Sequence, residues 1–256
     1  MVLKRNPPTI RLAILEADTP IGRTKEKYGG YGALFAELLA KGCEEVARQD
    51  GVPGPELEIT KYDVVNHPAV YPALEEVDGV LITGSKHNSF DSTPWIRTLV
   101  AFTQRVLAQH RVRIIGVCFG HQILGRAMEV EVARSEAGWE VAVVPVELTE
   151  VGRRVLGVER LAIHQMHRDI VYAYPVSVEP LGSSDRCSVQ GMYSKGRLIS
   201  VQGHPEFNEE IVEELLVNRH EQGIFPDGVY EDGMRRVGER HDGVVVAAAF
   251  VRFLVE

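Results

Sequence analysis

Apolar residues fall in short, dense runs over the first half of the chain. Ile10–Leu15, Gly79–Thr83 and Arg113–Val117 are nearly continuous, which predicts strands covered on both faces, as in a parallel sheet. Leu57–Val65 alternates instead, with Leu57 and Ile59 set against Glu58 and Thr60, and predicts a partly exposed strand. Between these runs the period changes. Leu34, Phe35, Leu38, Leu39, Cys43, Val46 and Ala47 have helical spacing over Tyr31–Gln49, and Asp50-Gly51 ends that helix. Val52-Pro-Gly-Pro55 predicts a turn, and Thr93-Pro94 a helix start with proline at the first position, running to about His110. Short helices are predicted over Val70–Val77 and Ile123–Met128. The segment Ile21–Tyr31, rich in Gly and Lys, predicts a loop.

After Met128 the pattern becomes shorter and more broken. Strands are predicted over Glu129–Ala133, Glu140–Leu148, Leu161–Ile163, Val176–Pro180, Ser188–Tyr193 and Leu198–Gln202, paired in an antiparallel or mixed arrangement. Helices are predicted over Asn208–Gln222, Tyr230–Arg240 and Gly243–Val255, with a break at Phe225-Pro-Asp-Gly228. Alternating strand and helix followed by a strand-rich portion gives an α/β fold. Its central sheet is mostly parallel, with helices on both faces and an antiparallel portion. A single domain over 1–256 is expected, with 223–256 as a helical extension.

Composition narrows the classes. A hydrophobic content of 45% and a charged content of 25% are those of an ordinary globular chain. A net charge of −8 without a dense Lys/Arg block argues against nucleic acid as a partner. No apolar run reaches the ~20 residues needed to cross a bilayer. The N-terminus has no apolar signal core, so a cytoplasmic protein is expected. The three cysteines, Cys43, Cys118 and Cys187, do not suggest a disulfide framework.

Only Cys118 has neighbours that suit chemistry. Gly116-Val-Cys-Phe-Gly120 follows a predicted strand and precedes a predicted helix. That is a nucleophile elbow with cysteine in place of serine. The sharp turn strains the backbone at the tip, and side chains at the flanking glycines would collide with it. A helix N-terminus beside the sulfur favours the thiolate. The nucleophile needs a base, and the base an orienting group. Val201-Gln-Gly-His-Pro-Glu-Phe207 supplies both at the end of another predicted strand: His204 as base and Glu206 as its orienter. His121 is read as a capping or packing residue. His164 and His167 lack a third ligand at suitable spacing, so no metal is expected, and no cofactor either.

Gly116-Val-Cys-Phe-Gly-His-Gln122 together with Gln202-Gly-His-Pro-Glu206 resembles the class I glutamine amidotransferases. The resemblance covers about Ile10 to Gln222. It implies a flavodoxin-like three-layer α/β sandwich with Cys118, His204 and Glu206 as the triad, attacking a glutamine or γ-glutamyl amide to form a γ-glutamyl thioester. It implies an oxyanion hole at the N–H of Phe119 and at the loop Gly84-Ser85, where this chain has Thr83-Gly-Ser-Lys86 instead of the usual Gly-Gly-Pro. Gln165-Met-His-Arg-Asp169 resembles the family's Ser-His-x-Asp segment. Gln122, His167, Arg168 and Asp169 are therefore expected to face the glutamyl moiety. Trp139, in a segment also similar to the family's, is expected to pack.

No P-loop or nucleotide-binding glycine run is present in the sequence. Two enzymatic readings follow: a glutaminase that hands ammonia to a separate synthetase partner, and a stand-alone γ-glutamyl peptidase acting on glutathione or its conjugates. A non-catalytic regulatory protein on the same fold ranks last, because the full triad is present.

Overall fold

In the computed structural model, residues 7–51 and 53–256 are described; residues 1–6 and Val52 of the expected turn lie outside them. In chain order the elements are β1 (Thr9–Glu16), α1 (Gly22–Tyr28), α2 (Tyr31–Asp50), β2 (Glu56–Asp63), β3 (Gly79–Ile82), α3 (Pro94–Ala108), β4 (Arg113–Val117) and α4 (Phe119–Ala127). There follow β5 (Val132–Arg134), β6 (Glu140–Leu148), α5 (Glu150–Leu156), β7 (Leu161–His167), β8 (Asp169–Val171), β9 (Glu179–Ser184), β10 (Cys187–Ser194) and β11 (Leu198–Val201). The chain ends in α6 (Glu209–Glu221), α7 (Asp227–Arg236) and α8 (Gly243–Val255).

One nine-stranded sheet runs β2-β1-β3-β4-β11-β10-β9-β6-β7. The first five strands pair in parallel, and the remaining pairings are antiparallel. The antiparallel portion thus continues the parallel one. β5 and β8 form a separate antiparallel pair.

The dense apolar runs are buried because both faces of the parallel strands are covered. Along β1, Leu12 and Ile14 turn toward α2 and α8, packing with Phe35, Leu39 and Phe250. Ala13 and Leu15 turn the other way, toward Ile96 and Phe102 of α3 and Ile123 of α4. The period of two along each strand therefore feeds two separate cores. A third cluster joins Tyr31, Phe207, Ile211, Leu216 and Phe225 and sets the helical wall beside the site. The helix α8 packs on α2 closely enough that a Cβ at Gly42 would lie 2.8 Å from the Ala247 carbonyl carbon.

Several expectations are corrected. The Ile21–Tyr31 segment contains α1 rather than only loop. Its first turn is capped from outside, since Arg23 N and Thr24 N donate to Glu214 at 2.6 and 3.0 Å. Val70–Val77 holds only a 3₁₀ turn at Leu74–Glu76, because Pro72 keeps the residue before it out of the helical region. Val176–Pro180 is mostly a turn, with Val178 N donating to Pro175 O, and the strand starts at Glu179. The strand expected at Leu161–Ile163 continues to His167. α5 and β8 are additional elements.

Asp78 ties the start of β3 to β1. It accepts from Arg11 N, Nε and Nη2 at 3.0, 3.0 and 2.7 Å and from Arg111 Nη1 at 3.3 Å. The Arg11 guanidinium holds its carboxyl down to about 2. A depressed carboxyl contributes stability above its unfolded value of about 4, and that contribution is lost as pH falls through the folded value. Asp78→Asn is expected to lower the urea midpoint at neutral pH. The gap to wild type should close between about pH 4 and about 2, which urea titrations across that range would check.

Candidate active site

The parallel topology brings the carboxyl ends of β1, β3, β4 and β11 to one edge of the sheet, the usual place for a ligand crevice in such folds. Cys118 sits at the end of β4, immediately before α4, with φ 50° and ψ −101°. This is a positive-φ conformation that a side-chain-bearing residue adopts only where the surroundings enforce it. The flanking glycines show the enforcement. A Cβ at Gly120 would lie 2.3 Å from the Ile82 carbonyl oxygen, and one at Gly116 would lie 2.7 Å from the Gly120 carbonyl oxygen. Cys118 N donates to Val201 O at 2.9 Å, fastening the elbow to β11.

His204 follows β11 and is buried beside Cys118. Its Nδ1 lies 2.8 Å from Glu206 Oε1, and its ring stacks on Phe207 with centroids 4.0 Å apart and planes 3° apart. Its backbone N–H donates to His164 O at 2.7 Å. The imidazole is thus fixed by a carboxylate at one nitrogen, an aromatic face and its own main chain. Burial alone would push its pKa down; the charges of Cys118 and Glu206 outweigh this and raise it. Gly84, at the end of β3, lies against the pair: a Cβ there would come 2.6 Å from His204 Cε1 and 3.7 Å from Cys118 Cβ.

A cleft of about 580 Å³ opens over these groups, within the range that holds a small ligand. Cys118, His204, Gly84, Ser85, Gln122, His167, Arg168 and Asp169 all line it. Glu206 is buried behind His204. The Phe119 side chain packs away from the cleft, stacking on Trp95 with centroids 5.6 Å apart. Its N–H, at the first position of α4, has no partner within the helix.

The sequence profile of glutamine amidotransferase class-I matches residues 47–219. The chain belongs to the class I glutamine amidotransferase family. An amidotransferase-like protein of Schizosaccharomyces pombe is 34% identical over 250 residues, spanning 96% of this chain and 98% of that one. Gamma-glutamyl peptidase 2 of Arabidopsis thaliana is 29% identical over 225 residues, 86% of each chain. The solved structure of a glutamine amidotransferase from Thermotoga maritima superposes with a TM-score of 0.67 at 16% identity, over 96% of this chain and 99% of that one. This likeness establishes the shared fold.

Within this amidotransferase-family chain, a buried polar network backs the cleft. Gln122 Nε2 donates to Asp169 O at 2.8 Å and to Gln202 Oε1 at 3.2 Å. His167 Nε2 lies 3.0 Å from Glu140 Oε2, and Glu140 accepts from Ser184 Oγ and Gln190 Nε2 at 2.7 and 2.9 Å. Asp169 also receives Arg134 Nε at 3.1 Å. These bonds fix Gln122, Asp169 and Glu140 at the cleft floor, while Arg168 Nε and His167 Nδ1 have no hydrogen-bond partner among the described residues.

The remaining histidines separate from this set. His121 is fully buried, bonded to Ser200 Oγ at 2.8 Å, and burial pushes it down to about 3; it packs. His164 and His167 are an odd number of residues apart on β7 and face opposite ways. His164 lies against His241, with ring centroids 4.7 Å apart, and is likewise pushed down to about 3 by burial. Trp139 packs edge-on to Phe225 as expected, with centroids 4.9 Å apart, but it also walls the cleft. Tyr31 and Arg219, which no motif marks, line the cleft as well.

Proposed function

We propose that the protein hydrolyses γ-glutamyl amide bonds through a thioester on Cys118. The observation that carries this is the juxtaposition of a positive-φ cysteine, a buried histidine held at 2.8 Å by a carboxylate, and a glycine packed against both. Cys118 attacks the δ-carbonyl of the glutamyl group. The N–H of Phe119 and those of the Gly84-Ser85 loop receive the oxyanion; two other N–H groups nearby are already engaged, Lys86 N by Asp18 and His87 N by Ser85 Oγ. His204 donates its proton to the leaving nitrogen, then activates water against the thioester. Gln122, His167, Arg168 and Asp169 hold the glutamyl end. Water as the final acceptor is supported by the similarity to a gamma-glutamyl peptidase along 86% of the chain. A glutaminase that passes ammonia to a synthetase partner is the second reading, favoured by the family match itself.

Purified protein incubated separately with glutamine, glutathione and a glutathione conjugate is expected to release glutamate from the γ-glutamyl peptides without any added protein. Glutamine turnover seen only after a synthetase is added would favour the second reading. No turnover of any of them, with wild type equal to Cys118→Ala, would overturn both.

A further inference from the structure

Of the three arginines that line the cleft, Arg134 is ion-paired, whereas Arg168, beside Asp169 at the expected glutamyl end, and Arg219, on the opposite helical wall, are not, among the described residues. Arg134 is paired with Asp169, Arg126 donates to the carbonyls of Ser89 and Asp91, and Arg236 is paired with Asp232. Arg219, in the last turn of α6, has no hydrogen-bonding or ion-pair partner for its guanidinium among the described residues. It is held in place by apolar faces, with its guanidinium carbon 5.3 Å from the Trp139 ring centroid and 5.6 Å from that of Phe225. Such packing fixes an arginine without using its five N–H donors. A half-buried guanidinium with its donors free, facing a cleft, is built to receive an anion, and its planar fork matches a carboxylate.

Its position selects which part of a substrate it meets. The general acid must stand beside the leaving nitrogen, so the leaving group occupies the His204 side of Cys118. From His204 the wall continues through Phe207, stacked on it, to Tyr31, whose ring centroid lies 6.4 Å from that of Phe207. Tyr31 and Arg219 both line the cleft on this wall. The groups expected to hold the glutamyl end, Gln122 and Asp169, belong to a different bonded set together with Arg134 and Asn88. Resting on the hydrolase reading above, we infer that Arg219 binds a carboxylate on the leaving group. The preferred substrates are then γ-glutamyl amino acids or short γ-glutamyl peptides with a free C-terminal carboxylate, rather than glutamine or neutral γ-glutamyl amides.

Two matched substrate pairs test this on the wild-type protein: a γ-glutamyl dipeptide and a γ-glutamyl tripeptide, each as the free acid and as the C-terminal amide. The glutamyl α-carboxylate is common to all four. The free acid is expected to have a kcat/KM at least about tenfold higher in one pair or both, since charge-assisted bonds to a half-buried guanidinium are lost in the amide. Arg219→Met, which keeps an apolar stem against Trp139 and Phe225, should collapse that ratio toward one, and Arg219→Lys should restore part of it. Equal kcat/KM for acid and amide in both pairs overturns the inference while leaving the hydrolase intact. A ratio unchanged in Arg219→Met, with acid and amide falling together, assigns Arg219 to structure or to the glutamyl end and overturns it too. A wild type that cleaves none of the four removes the hydrolase reading and this inference with it.

Discussion

Cys118→Ala is expected to lower kcat/KM for any γ-glutamyl substrate by at least about 10³-fold, because no other group near His204 among the described residues can form the proposed thioester. The substitution removes one buried sulfur and leaves the polar network untouched, so the fold should persist. A second substitution at the same position separates chemistry from strain. Cys118 has φ 50°, and such a conformation costs a residue with a Cβ about 1–3 kcal/mol. Glycine adopts it freely, although elsewhere replacing alanine by glycine destabilises by about 0.5–1 kcal/mol through chain entropy. Cys118→Gly should therefore be as inactive as Cys118→Ala yet more stable than it by about 1 kcal/mol, a rise of about 2–4 °C in Tm for a chain of this size. Thermal unfolding of the two variants side by side checks this. An alanine variant as stable as the glycine variant would show that the elbow is not strained, and that its geometry contributes nothing beyond placing the sulfur.

The same elbow explains why so much of the site is legible in the order of residues alone. The steric rule that demands glycine at 116 and 120 acts on neighbours in sequence, and so does the strand-to-helix switch around Cys118. His204 and Glu206 are two residues apart at the end of an apolar strand, and the parallel pairing of β4 with β11 brings them to the cysteine. Local patterns also suffice for β1, β3 and β4, whose apolar runs are buried on both faces. Elements stabilised from far away are not legible. The helix α1 has few apolar residues, and its cap is a carboxylate 190 positions on, Glu214. α5 is only seven residues long, held by Thr149 Oγ1 accepting from Gly152 N at 2.9 Å. Arg219 lies in the polar run Asn218-Arg-His-Glu221, which in isolation has the pattern of a solvated helix end. Its environment is supplied by Trp139 from ahead of β6 and by Phe225 from beyond the end of its own helix, and no periodicity encodes that meeting.

Glu206→Gln should separate the chemistry of the base from its placement. The carboxylate is buried, and only one of its oxygens has a hydrogen-bond partner among the described residues: Oε1 meets His204 at 2.8 Å, while Oε2 has none. Glutamine has the same shape, so stability should change little. The electrostatics change more. The pKa of His204 is raised against its burial by the charges of Cys118 and Glu206, and the substitution removes one of the two. The imidazolium then loses its proton at lower pH. In the proposed reaction the proton on His204 is given to the leaving nitrogen, so the alkaline limb of kcat/KM should move to lower pH. Near neutral pH the rate constant should fall by about 10²–10⁴-fold, the range expected when a neutral isostere replaces the orienting carboxylate of a triad. A pH–rate profile of both proteins on one γ-glutamyl peptide measures the two effects together. A fall in rate with an unmoved alkaline limb would mean that Glu206 orients the ring without supporting its charge. A fall of less than about tenfold with an unmoved limb would exclude it from the triad altogether, leaving the Phe207 stack and the His164 carbonyl as the groups that hold His204 in place.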